Sequence, residues 1–186
     1  MNAALPWVTR ANALTGLRLL LAPCWAVALL QGAARPALAL FAVAVATDFA
    51  DGWVARRYDE ASDFGRFADH ATDALFVTAG AAALACLGVL PAALPWLIAI
   101  AFLQYALDSK ALAGAPLRPS SLGRWNGIAY YVVVAVPVVR DALSLAWPGP
   151  ASVRALGWLL VASTLLSMAD RLRSWQSGRR PASRGS

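Results

Sequence analysis

Four aspartates in the first half of the sequence have the residue type and the spacing of a metal site. Asp48 and Asp51 are three residues apart, and Asp69 and Asp73 are four apart, so on helices each pair would share one face. Two carboxylates about 4 Å apart repel each other by roughly 4 kcal/mol at an effective dielectric constant near 20. The group therefore needs cations, and its hard oxygen ligands favour Mg²⁺, Mn²⁺ or Ca²⁺ over zinc.

The composition places these acids in a membrane protein. The chain has 186 residues, of which 60% are hydrophobic and 14% charged, and its mean hydropathy is +0.58. These values exclude an ordinary water-soluble domain. A spanning helix takes about 20 apolar residues, so the length accommodates roughly six or seven spans and predicts one compact all-α bundle.

The second span has to carry the first acidic pair into the membrane. Only residues 36–47 are apolar before Asp48, which is too short for a crossing. The helix must therefore continue to about Arg57, with Asp48 and Asp51 in its last two turns. Residues 74–107 carry no charge and are divided by two prolines, which predicts a helical hairpin with span three at about 65–89 and span four at about 92–107.

The remaining spans and the orientation follow from hydropathy and charge. Span one covers 19–30, span five about 125–147 and span six about 153–169, and a short interfacial helix is expected within 1–10. We predict a membrane domain over 1–170 and a basic, disordered cytoplasmic tail over 171–186. Among the 16 basic residues only Arg35, Arg140 and Arg154 fall outside, so the acids face the cytoplasm. This asymmetry also accounts for the net charge of +6 without a nucleic-acid partner.

Small residues stand where the two acidic helices face each other. Gly52, Ala55 and Gly65 leave room for a flat base or a phosphate to approach the backbone. Arg56 lies beside them and can pair with phosphate charge. Small residues also pack membrane helices together, but beside four acids they favour a binding site.

These residues carry a family resemblance. The chain matches all eight fixed positions of D-x2-D-G-x2-A-R-x8-G-x3-D-x3-D between Asp48 and Asp73, and so resembles the CDP-alcohol phosphatidyltransferase family. The stretch Asn12 to Thr15, with Arg18 and Pro23, is similar to the N-terminal pattern of many bacterial members. The resemblance implies six transmembrane helices, usually in a homodimer, in a bacterial inner membrane. It also implies a cytoplasm-facing pocket with one or two divalent ions, Mg²⁺ or Mn²⁺.

The resemblance also assigns roles to the signature residues. It implies transfer of a phosphatidyl group from CDP-diacylglycerol to a polar alcohol, with release of CMP. The implied metal ligands are Asp48, Asp51, Asp69 and Asp73. Asp73 is in addition the candidate general base for the acceptor hydroxyl. The implied CDP-binding residues are Gly52, Ala55, Arg56 and Gly65.

The acceptor alcohol is less well defined by the sequence. Lys110, Arg118 and Arg124 form a basic cluster, expected on the loop between spans four and five, which favours glycerol 3-phosphate. The same charges are also typical of positive cytoplasmic loops. Around Asp69 and Asp73 the chain lacks the proline and lysine of many members that make phosphatidylglycerol phosphate. Serine, inositol phosphate, an aminoalcohol or phosphatidylglycerol therefore remain alternatives. His70 is turned about 100° from Asp69 on a helix and is expected to pack or to support the site rather than act as the base.

Two other classes of function have to be weighed. Intramembrane carboxylates also line cation pathways, but a transporter needs polar groups at several depths, and these acids cluster near one face. A lipid-binding scaffold without activity would not require the intact acids. The sequence favours the enzyme.

Overall fold

The computed structural model describes residues 10–58, 62–108 and 121–178. In order along the chain, its elements are α1 (Arg10–Leu30), α2 (Ala34–Arg57), α3 (Asp63–Cys86), α4 (Ala93–Asp108), α5 (Ser121–Ala142) and α6 (Pro150–Gly178). The described residues contain no strand. Helices α1, α2, α5 and α6 are long and apolar enough to cross a membrane, and α4 is a shorter apolar helix. The predicted all-α membrane bundle is confirmed.

Helix α2 runs without a break through its two acidic residues. It contains 24 residues, which at 1.5 Å per residue gives a length of about 36 Å, enough for a hydrocarbon core of about 30 Å. The predicted continuation to Arg57 is confirmed. Helix α3 also has 24 residues and begins after Ser62, whose hydroxyl accepts a hydrogen bond from the Gly65 amide at 2.9 Å.

Glycines turn the chain sharply at the opposite end of the bundle. Gly32 after α1 and Gly88 after α3 have φ of 67° and 70°, the left-handed conformation that glycine adopts without a steric cost. At the second turn the Val89 amide donates to the Leu84 carbonyl at 2.9 Å, which satisfies a carbonyl at the helix end. The following helices therefore return antiparallel, and all acids of α2 and α3 lie at one end. We call it the acidic end.

The six helices form a closed ring in which each packs on two neighbours. Helix α1 packs on α2 and α3, α2 packs on α5, α5 on α6, α6 on α4, and α4 on α3. A further contact between α3 and α5 crosses the ring and divides it in two. We call the side formed by α1, α2 and α3 the packed compartment, and the side enclosed by α3, α4, α5 and α6 the cavity compartment.

An aromatic cluster holds the packed compartment together. The side chain of Trp25 in α1 is fully buried and stacks on Phe76 of α3, with ring centroids 4.4 Å apart and an interplanar angle of 3°. Phe41 of α2 lies 5.4 Å from the same ring. Gly80 of α3 lies directly against the Trp25 ring, where a Cβ atom would collide with it. The three helices can approach closely because this position has no side chain.

The structure differs from the predicted bounds in α1, α5 and α6. Span one was predicted to begin at 19, but α1 begins at Arg10 and so includes Arg18. No proline stands between Ser121 and Trp125, so α5 begins about one turn earlier than predicted, and it ends at Ala142. Helix α6 continues to Gly178, so residues 171–178 of the predicted tail are helical. One reason is that the Arg171 guanidinium lies 5.0 Å from the centre of the Tyr105 ring, a cation–π contact. The predicted interfacial helix falls almost wholly on residues outside the described range, as do 179–186.

Candidate active site

The four aspartates of the acidic end surround the side chain of Arg18, and we call these four residues the acidic quartet. Arg18 is fully buried. Its Nη1 donates to Oδ1 of Asp69 at 2.8 Å and to Oδ1 of Asp73 at 2.5 Å. Its Nη2 donates to Oδ2 of Asp51 at 2.6 Å and lies 3.2 Å from Oδ1 of Asp48. One guanidinium of α1 thus joins the carboxylates of α2 and α3.

The position of Arg18 follows from the buried face of α1. Thr15, Arg18, Ala22 and Trp25 are all buried, and their spacing of three or four residues places them in one stripe. Thr15 adds a hydrogen bond of 3.4 Å to Asp51. Arg18 has no predicted role in the site. The available signal was a charged residue within an apolar helix, which usually has a functional role in a membrane.

The acidic quartet keeps an excess of negative charge that fits a metal ion. Arg18 offsets one of four carboxylates, so a formal charge of −3 remains when all of them are ionised. Asp48, Asp51 and Asp69 each offer a carboxylate oxygen, and these oxygens lie within 4.8 Å of one another. Oxygens on opposite sides of a bound ion are about 4 Å apart for Mg²⁺ and about 5 Å apart for Ca²⁺. The three aspartates are therefore placed to hold a hard divalent cation.

Like Asp48, Asp73 borders an open space. Its side chain is 27% exposed and lines a cavity in the cavity compartment. Tyr131 of α5 donates a hydrogen bond of 2.9 Å to Oδ1, the same oxygen that Arg18 contacts. Among the described residues, both hydrogen bonds thus fall on one oxygen, and Oδ2 remains for a ligand. Tyr131 gave no signal in the sequence, where it is one aromatic residue in an apolar helix.

The cavity has a volume of about 560 Å³, within the range of small-molecule sites. Apolar side chains such as Val77, Ile98 and Phe102 form part of its wall. The wall also contains carboxylates, basic groups and amides, contributed by Asp48, Asp73, Arg124, Arg171, Gln104 and Asn126. A chamber with both apolar and polar walls suits a ligand that is part lipid and part polar.

The predicted acceptor-binding cluster is only partly described. Arg124 lines the cavity but lies in the first turn of α5, so the prediction that it lies on a loop was wrong. The helix begins earlier than predicted and includes it. Lys110 and Arg118 lie outside the described residues. Arg171 of α6, which belongs to the predicted tail, lines the same cavity.

The predicted nucleotide-binding residues lie beside the acidic quartet. Gly52 follows Asp51 in α2 and Gly65 lies in the first turn of α3, and both are half-buried. The side chains of Ala55 and Arg56 are outside the described part of the structure. The backbone of α2 nevertheless places both positions within one and a half turns of Asp51.

His70 borders the site without entering the acidic quartet. Its side chain is 49% exposed, and its Nδ1 lies 3.8 Å from Oδ2 of Asp69. It also lines the cavity. This position places the imidazole beside Asp69.

Comparison with known proteins identifies the chain's family. Residues 8–169 match the family described as CDP-alcohol phosphatidyltransferase. This range includes α1 to α5 and most of α6. The resemblance predicted from the acidic signature is confirmed, and with it the expectation of a phosphatidyltransferase.

Similar proteins with assigned names include two from different bacteria. A "Probable phosphatidylglycerophosphate synthase" of Mycobacterium tuberculosis is 35% identical over 145 residues, covering 74% of this chain and 68% of the relative. A "CDP-diacylglycerol--glycerol-3-phosphate 3-phosphatidyltransferase" of Cereibacter sphaeroides is 34% identical over 152 residues. That match covers 73% of this chain and 63% of the relative.

Proposed function

Because the chain belongs to the CDP-alcohol phosphatidyltransferase family, we propose that it transfers a phosphatidyl group from CDP-diacylglycerol to glycerol 3-phosphate and releases CMP. The names of its relatives in Mycobacterium tuberculosis and Cereibacter sphaeroides support this acceptor. The observation that carries the proposal is the cavity, which has Asp73 in its wall together with Arg124 and Arg171. Two guanidinium groups suit a phosphorylated alcohol, since they bind phosphate oxygens in a fork geometry.

The acidic quartet is the proposed metal site. Asp48, Asp51 and Asp69 would hold Mg²⁺ or Mn²⁺, as one or two ions, with Asp73 as a further ligand. A metal ion bound there would neutralise charge on the donor diphosphate and on the departing CMP. Arg18 remains in contact with all four carboxylates and keeps their oxygens together on neighbouring helices.

Asp73 is the proposed general base. Its Oδ2 takes the proton of the acceptor hydroxyl as that oxygen forms a bond to the β-phosphorus. The bond from this phosphorus to the bridging oxygen breaks, and CMP leaves with the electron pair. Tyr131 and Arg18 both donate to Oδ1, so they fix the carboxylate with its other oxygen towards the cavity.

We also propose a site for the nucleotide and a location for the protein. Gly52, Ala55, Arg56 and Gly65 would line the CDP site between α2 and α3, beside the metal ligands. The protein would act as a homodimer in the bacterial cytoplasmic membrane, with the acidic end on the cytoplasmic side. The distribution of basic residues supports this orientation.

The proposal is tested with purified protein in lipid nanodiscs containing CDP-diacylglycerol. Release of CMP and formation of the lipid product are measured with glycerol 3-phosphate, serine, inositol phosphate and an aminoalcohol, with Mg²⁺ or Mn²⁺. We expect transfer to glycerol 3-phosphate only, and none in the presence of a chelator. Efficient transfer to another of these acceptors instead would refute the proposed substrate.

The role of Asp73 is tested by Asp73→Asn. We expect CMP release to fall by about 10²- to 10⁴-fold, the usual contribution of a general base, with little change in unfolding temperature. Asp141→Asn is the matched control, because Asp141 pairs with Arg140 near the far end of α5. Normal turnover by Asp73→Asn would show that another group removes the proton.

A further inference from the structure

The cavity wall contains an amide whose hydrogen bonding is incomplete. Asn126 of α5 is only 4% exposed and lines the cavity. Its Oδ1 accepts a hydrogen bond of 2.6 Å from Ser163 of α6, which holds the side chain in place. Among the described residues, its Nδ2 has no hydrogen-bond partner. A buried donor without an acceptor is unfavourable, so this atom is suited to a ligand oxygen.

In a second amide of the same wall it is the oxygen that has no hydrogen-bond partner. Nε2 of Gln104 in α4 donates to the carbonyl of Met168 in α6 at 3.1 Å. Its Oε1 is buried and accepts no hydrogen bond from any part of the chain that the structure describes. Gln104 and Asn126 both line the same cavity, and between them they hold one vacant acceptor and one vacant donor.

The chemistry of the two vacancies selects a neutral hydroxyl group. A carboxylate or phosphate oxygen only accepts hydrogen bonds, and an ammonium group only donates them, whereas a hydroxyl does both. We propose that Asn126 and Gln104 bind the secondary hydroxyl of the acceptor, the one that does not react. This inference rests on the proposed function, because glycerol 3-phosphate carries that hydroxyl between its phosphate and its reacting oxygen.

The order of groups along the cavity wall agrees with the order of groups in that acceptor. Arg124 lies two residues before Asn126 on α5, and Tyr131, which holds Asp73, lies five residues after it. Along the helix axis Asn126 is therefore about 3 Å from Arg124 and about 7.5 Å from Tyr131. A phosphate at Arg124 and a reacting hydroxyl at Asp73 place the middle hydroxyl at the level of Asn126.

The test compares glycerol 3-phosphate with 3-hydroxypropyl phosphate, which lacks only the secondary hydroxyl. Wild-type protein is expected to prefer glycerol 3-phosphate by roughly ten- to a hundredfold in kcat/KM. The reason is that 3-hydroxypropyl phosphate has no secondary hydroxyl, so both amides stay unpaired when it binds. In Asn126→Ala this preference should fall to roughly twofold or less, through loss of activity on glycerol 3-phosphate alone. Gln104→Met is the second variant and should reduce the preference in the same direction.

The controls separate recognition from folding and from the choice of acceptor. Trp125→Phe changes the neighbouring residue, whose side chain is 68% exposed, and should keep the wild-type preference. Equal loss of activity on both esters in both amide variants would assign the amides a structural role and overturn the inference. So would a wild-type protein that uses the two esters equally well. If wild-type protein transfers to neither ester but to another alcohol, the proposed acceptor fails and this inference fails with it.

Discussion

The two compartments of the ring differ in how their interior is filled. In the packed compartment Arg18 pairs with the acidic quartet, and Trp25 and Phe76 fill the space beyond them, although Arg18 Nε and Trp25 Nε1 have no hydrogen-bond partner among the described residues. In the cavity compartment a space of about 560 Å³ remains, and the amides of Asn126 and Gln104 keep vacant atoms. The difference indicates that the first compartment builds the site, whereas the second receives the substrates.

Among the substitutions proposed for this protein, removal of Arg18 should destabilise the packed compartment the most. In Arg18→Met four neighbouring carboxylates lose their shared cation, and loss of one partner from a buried ion pair costs about 3–5 kcal/mol. We expect a much lower unfolding temperature without metal, a partial recovery with Mg²⁺, and no measurable turnover. The measurement is unfolding in detergent with and without the metal, followed by CMP release.

A matched change elsewhere controls for the loss of one arginine. Arg35→Met removes an exposed basic residue at the start of α2. The unfolding temperature and the rate of CMP release should both stay near the wild-type values. An Arg18→Met protein that unfolds at the wild-type temperature without metal would contradict a structural role for this guanidinium.

Gly80→Ala tests whether the packed compartment is filled to its limit. The added Cβ would meet the Trp25 ring, which cannot move away because Phe76 stacks on it. Overpacking of this kind costs about 1–3 kcal/mol, so the unfolding temperature should fall while kcat at low temperature is kept. Gly16→Ala is the control, since a Cβ there has no atom within 4 Å, and it should not destabilise the protein. Equal stability of Gly80→Ala and wild type would show that the aromatic cluster adapts.

Tyr131→Phe acts at the contact between the two compartments and should have the smallest effect. It removes the hydrogen bond to Asp73 but keeps the ring. We expect kcat to fall about tenfold, equivalent to about 1.4 kcal/mol, with a minor change in stability. Tyr130→Phe is a matched control because the Tyr130 hydroxyl pairs with Thr164 at 2.7 Å instead. If both variants turn over substrate equally fast, Tyr131 does not position the base.

The local features of the site could be predicted from the sequence. Apolar length alone required α2 to continue through Asp48 and Asp51, and helical spacing placed each acidic pair on one face. The short connection between α2 and α3 then brought the pairs close. These inferences depend on residues near one another in the chain, where periodicity and span length are informative.

The features that depend on distant helices were not predicted. Arg18 is 33 residues from Asp51 and 55 from Asp73, and at the start of a span it has the same appearance as an ordinary cytoplasmic arginine. The vacant amides of Gln104 and Asn126 become related only because α4 and α5 enclose one cavity. The two residues line the same cavity only because the helices form a closed ring, and local sequence patterns do not predict that ring.

The central position of Arg18 also bears on how the protein enters its membrane. Ribosomes make α1 first, so its arginine reaches the bilayer before any aspartate partner has been synthesised. An arginine costs roughly 2.5–3.5 kcal/mol on the insertion scale at the centre of a spanning segment, which is an upper bound for Arg18 because it lies nearer one end of the span Ala13–Leu30. The carboxylates that offset this cost arrive with α2 and α3, and each of those helices carries an insertion cost of its own. Stable integration of the first three helices is therefore a collective event.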